Sequence, residues 1–140
     1  MKKFAHKNHE YFHFVFRVLI GLLFAQHGAQ KLFGLFGGKA APLVSLMGLA
    51  GIIELVGGLL IAVGLFTRFA ALVSAITMLV AYFKVHAFNA LMPIANKGEL
   101  ALVYLAAFIA IIGFGHIKWE LDGLLTRKPK ASQKKTKKRK

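Results

Sequence analysis

The amino-acid sequence predicts an all-α integral membrane protein, a bundle of four transmembrane helices with both termini on the cytoplasmic side. Three observations carry that reading. Hydrophobic residues make up 57% of the 140 positions, and the mean hydropathy is +0.62 despite a highly charged tail. Most of the chain outside that tail must therefore face something other than water. The apolar residues are gathered into four long stretches, each able to supply the ~20 residues that cross a ~30 Å hydrocarbon core at ~1.5 Å per residue. The positive charges lie in short flanks around those stretches, more heavily on one side. The length suits one domain. The absence of cysteine excludes disulfides, Cys-ligated zinc, iron–sulfur clusters and thiol redox chemistry.

The expected division is an N-terminal flank over 1–13, a four-helix domain over 14–126 and a tail over 127–140, with helices at about 14–36, 44–66, 69–88 and 99–117. In the flank, His6, His9 and His13 share one helical face. The lysines around them favour a solvated helix start over a metal site, and no metal is expected. The first apolar stretch, Tyr11 to Phe36, is too long for a signal peptide and carries Gln, His and Lys where a cleavage region needs small residues, so it is expected to stay in the membrane. Gly34, Gly37, Gly38 and Pro42 end it. The second, Pro42 to Phe66, carries Glu54 as its one charge and closes on Gly64 and the Thr67-Arg68 turn. The third, Phe69 to about Phe88, has Lys84 and His86 near its end. Pro93, Asn96 and Gly98 then mark a longer connection to the fourth, Glu99 to Gly115.

Orientation follows from the basic flanks. Lys2, Lys3, Lys7, Arg17, Arg68 and the ten basic residues from Lys118 onward fall on one side, and Lys31, Lys39, Lys84 and Lys97 on the other. The richer side is expected to be cytoplasmic. Eight of the nineteen basic residues lie from Lys128 to Lys140, so the net charge of +14 belongs to a tail rather than to a basic face. That distribution speaks against a nucleic-acid partner. The tail is low-complexity and is expected to be disordered, with anionic lipid headgroups as its simplest partner at ~1 kcal/mol per basic residue near the surface. The segment around Trp119 has the mixed character of an interfacial one.

Polar groups within hydrocarbon are costly and invite functional readings. With the first helix centred near Ala25, the candidates His27, Gln30, Lys31, Glu54, Lys84, His86, Glu99 and Tyr104 all fall between the midplane and the outer surface, Lys31 roughly 9 Å out at ~1.5 Å per residue. His27 and Lys31 are i,i+4 on one face. Glu54 sits on the row Ala50–Glu54–Gly58–Ala62, whose small residues let helices approach closely and turn the carboxylate into the bundle. A midplane carboxylate needs a partner or a proton. Bland readings stand beside these: Lys31 and Lys84 as snorkelling side chains, His27 as a packing residue, Tyr104 as core. Nothing in the spacing of His27 and His86 specifies haem ligation, and phosphate loops, zinc-protease motifs and nucleotide fingerprints are absent.

The order of short motifs resembles the DoxX family of small bacterial and archaeal membrane proteins. Arg17 precedes Gly21 to Phe24, His27-Gly28 and Lys31-Leu32-Phe33-Gly34. Gly51 to Glu54, Gly57 to Leu60 and Gly64-Leu65-Phe66-Thr67-Arg68 follow. Asn96, Glu99 and Tyr104, then Gly113, Gly115, Leu121 and Asp122, complete a similarity over about 17–126, with Phe114 and Glu120 where the family has Pro and Ser. The resemblance implies a multi-pass protein of the bacterial cytoplasmic (inner) membrane, in a family named for a subunit of a thiosulfate:quinone oxidoreductase. The chain lacks the groups to carry electrons alone, so an oxidoreductase role requires a bound quinone or a partner redox subunit. Catalysis by the chain itself stays open. A quinone-linked subunit would use His27 or Lys31 as donor and Glu54 as proton relay. An accessory protein would use the same cluster to lock its helices together. A small transporter or proton path would need a homo-oligomer.

Overall fold

A computed structural model describes residues 2–90, 92–114 and 120–125. The elements are α1 (Lys2–Phe33), α2 (Leu46–Val63), α3 (Thr67–Ala81), which runs directly into a π-helical turn at Tyr82–His86, α4 (Glu99–Phe114) and the short α5 (Asp122–Leu125). No strand occurs among the described residues.

Local chemistry sets the ends of α2. Ser45 lies in extended backbone, and its hydroxyl accepts from the Gly48 N–H at 3.0 Å, satisfying one of the donors a helix start leaves open. At the other end Gly64 adopts φ 79°. Its N–H bonds Ile61 O, and the Leu65 N–H reaches Leu60 O at 3.0 Å, the bonding pattern of a Schellman stop.

Three helices are long and apolar enough to cross a membrane: Lys7–Phe33, Leu46–Val63 and Thr67–His86. The fourth, Glu99–Phe114, is apolar but has 16 residues, about 24 Å at 1.5 Å per residue. Of the expected span of 99–117, residues 115–117 lie outside the described residues. The expected first helix differs in its bounds, because α1 starts at Lys2 rather than near 14 and ends at Phe33. Apolar periodicity cannot see a polar turn that continues a helix, so the flank and the first span form one rod.

α1 packs mainly along α2, and α3 packs against both α2 and α4. The α1–α2 seam is a backbone contact. A Cβ on Gly28 would stand 2.2 Å from Leu55 N, and one on Gly58 would stand 2.5 Å from Gly21 O. Phe24, Ile61, Met78, Tyr104, Phe108 and Ile111 form the core. Leu22, Val56, Ile76 and Ile109 remain exposed, an apolar exterior suited to lipid.

His13 departs from expectation. It is buried rather than solvated, edge-on to Phe114 with ring centroids 4.8 Å apart. Neither of its ring nitrogens has a hydrogen-bond partner among the described residues. α4 reaches far enough toward the start of α1 to cover it. Trp119 and the 126–140 tail lie outside the described residues.

Candidate functional site

The carboxylate of Glu54 lies in the middle of α2, 1% exposed. Lys31, near the end of α1, donates to its Oε1 from a side chain that is 27% exposed. The i,i+4 spacing that puts His27 and Lys31 on one face of α1 turns both toward α2 and α4. The close seam between α1 and α2 brings that face within reach of Glu54. The other oxygen, Oε2, is buried and has no hydrogen-bond partner among the described residues. A carboxylate offers about four acceptor sites, so the ion pair leaves Glu54 only partly satisfied.

Beside this pair lies a cavity of about 250 Å³. Its wall includes His27, Lys31, Glu54, His86 and Tyr104 from the polar residues singled out in the sequence, together with Phe24, Met78, Ala81, Lys97, Leu100 and Ala101. The aromatic side is ordered by ring contacts. Tyr104 meets His27 edge-on at 5.8 Å and Phe24 at 5.2 Å, and Phe108 backs both Phe24 and Tyr104. Such pairs hold rings in fixed orientation.

His86 is held by the connection that follows it. Its Nδ1 lies 2.9 Å from Asn96 O. The buried Asn96 side chain in turn donates to Ala90 O at 3.0 Å and accepts from the Gly98 N–H at 2.8 Å. Asn96 therefore organises the loop, and the following Lys97, at φ 60°, is turned to the cavity rim. The π-helical turn contributes as well. Closing an i→i+5 bond, Ala87 N to Tyr82 O at 2.9 Å, shifts the register of the last α3 residues. His86 comes to the cavity and Lys84 is left exposed.

Three of the eight residues are not brought there. Gln30 packs toward the loop after α1, its Cγ 2.4 Å from where a Cβ on Gly38 would stand. Lys84 and Glu99 are exposed and do not line the cavity. Lys97 is the polar lining residue that the sequence reading left out. Its signal was a basic residue next to a loop Asn, too weak to find.

A second cluster occupies the opposite end of the bundle. Arg17 is fully buried, and its Nη1 donates to Ile61 O at 2.8 Å. Glu120 and Asp122 are the carboxylates within electrostatic reach of it. Asp122 also caps α3. Its two carboxylate oxygens accept from the Phe66 and Thr67 N–H groups at 2.8 and 3.1 Å, and its own N–H donates to Gly64 O at 3.0 Å. The cap is supplied at long range because Phe66, at φ 49°, offers no side-chain acceptor. Of the turn residues read from the sequence, Thr67 is buried as the first residue of α3 and Arg68 is exposed.

Among the described residues, no group of three or more His, Asp or Glu is placed to hold a metal ion. In comparison with known proteins, the DoxX family model matches residues 12–87. An uncharacterized protein of Haemophilus influenzae is 36% identical over 129 residues, covering 87% of this chain and 96% of that protein. No solved structure matches.

Proposed function

The chain belongs to the DoxX family of membrane proteins, and from that premise we propose that it serves as a membrane subunit or accessory factor of a quinone-linked redox system, with the ring of the quinone seated in the cavity beside Glu54. One observation carries the proposal: an ion pair from the half-buried Lys31 to the buried Glu54, whose Oε2 has no partner among the described residues, set against an aromatic-walled cavity of about 250 Å³ within apolar helices. An apolar cavity of about 150 Å³ takes a benzene ring, so this one accommodates a substituted six-membered ring, while an isoprenoid tail would lie along the lipid-facing surface. Lys31 and His27 supply donors for a ring oxygen, and Glu54 supplies the group that takes up or releases a proton there. Bound quinone supplies the electron chemistry, since the chain holds none of its own.

In this reading the protein lies in the bacterial cytoplasmic membrane with both termini inside. The cavity then opens in the outer half of the bundle, and the basic tail meets anionic headgroups. A partner redox subunit supplies or receives the electrons. The test is lipid extraction of protein purified in mild detergent. Quinone, in either redox state, is expected at near-stoichiometric amounts with the wild type. Absence of quinone from a folded wild-type protein overturns the proposal. A second reading is favoured by the closed ion pair itself: Lys31 and Glu54 clamp α1 to α2, and the protein acts as a structural accessory. Quinone-free protein that loses stability when the pair is broken supports that reading.

A further inference from the structure

Resting on the quinone site proposed above, we infer that the cavity selects the reduced, hydroxyl-bearing form of its ring ligand, a hydroquinone, over the oxidised, carbonyl-bearing form. The argument lies in which atoms around the cavity accept hydrogen bonds. Lys31 on Oε1 marks Glu54 as a carboxylate, and a carboxylate only accepts. Glu54 lines the cavity, and its Oε2 is buried without a donor among the described residues. His86 adds a second acceptor. Its Nδ1 faces the Asn96 carbonyl oxygen at 2.9 Å, and because a carbonyl cannot donate, Nδ1 carries the hydrogen. In the neutral ring, Nε2 then carries a lone pair.

The two redox states of a ligand ring answer these acceptors differently. A carbonyl oxygen has lone pairs alone. It can take a hydrogen bond from Lys31 or Lys97, but it sets its lone pairs against Glu54 Oε2 and leaves that buried acceptor unsatisfied. A hydroxyl both donates and accepts. It can give its hydrogen to Glu54 Oε2 while a lone pair receives one from Lys31, and a second hydroxyl on the ring can do the same at His86. Bonds to an ionised acceptor are stronger than neutral ones, and a buried acceptor left without a donor carries its full desolvation cost.

The experiment is anaerobic titration calorimetry of the purified full-length protein with decylubiquinone and, separately, decylubiquinol. The quinol is expected to bind roughly tenfold more tightly, the effect of one charge-assisted hydrogen bond. For a two-electron couple this raises the potential of the bound pair by about 30 mV. Glu54→Gln places an amide donor at the cavity and is expected to abolish or reverse the preference. His86→Leu leaves the Lys31–Glu54 pair in place and is expected to narrow the preference, which keeps the test decisive if the position 54 variant does not fold. Quinone binding as tightly as quinol to the wild type overturns the selectivity and leaves the site standing. A preference untouched in folded variants of both positions also overturns it. Failure of both forms to bind overturns the site and the selectivity together.

Discussion

Glu54 and Asp122 are both carboxylates that join distant parts of the chain, and they differ in how visible they are before folding. Glu54 could be read from the sequence because a lone acid in an apolar stretch must find a partner. Its partner was left open between a Lys and a His, and in the structure it is Lys31. Asp122 could not be read in the same way. Its work is done on the N–H groups of Phe66 and Thr67, 56 and 55 residues away, and no local pattern announces a cap supplied from so far. Arg17 was likewise read only as a flanking charge, whereas it is fully buried on Ile61 O. Two outcomes follow at this scale. Lys31→Met leaves the Glu54 carboxylate buried without its cation and is expected to cost ~3 kcal/mol. Adding Glu54→Leu should recover much of that loss, read as the midpoint of thermal unfolding in detergent. Asp122→Ala removes two acceptors from the start of α3 and is expected to cost about 1–2 kcal/mol by the same measurement.

The small-residue row Ala50–Glu54–Gly58–Ala62 already implied that α2 is met closely by another helix, and the partner is α1, through Gly21 and Gly28. Gly28→Ala is expected to destabilise by about 1–3 kcal/mol, since its new methyl would strike backbone that cannot yield. Gly113 is a fitting control. It is also helical, but nothing lies within 4 Å of an added Cβ, so Gly113→Ala is expected to be neutral or to stabilise by up to about 1 kcal/mol through helix propensity. Circular-dichroism melts of the two variants side by side check the contrast. The π-helical turn at Tyr82–His86 was not legible. An even 3.6-residue period already sets Lys84 and His86 on nearly opposite faces, but nothing in it announces the extra residue that the turn takes in before the cavity. The flank was read as a solvated helix start from the spacing of His6, His9 and His13, but its continuity with the first span back to Lys2 was not, because periodicity reports where apolar residues stop, not where backbone hydrogen bonding stops.

For the molecule as a whole, hydropathy sufficed to read an all-helical membrane protein, while side-to-side orientation rests on the distribution of Lys and Arg. The absence of native cysteine gives a clean background for testing that orientation. Arg68 and Lys97 are both exposed and sit at opposite ends of the bundle. With cysteine placed at either position, a membrane-impermeant maleimide added to spheroplasts is expected to label position 97 and to spare position 68 until the membrane is opened. The reverse pattern would invert the topology and place the cavity in the inner half. The Asp122 contacts have a mechanical meaning as well. They latch the short final helix to the foot of α3, and Arg17 continues the connection into α1 through Ile61. Tension applied to α5 from its C-terminal side is therefore carried across the latch into the foot of α3 and the end of α2.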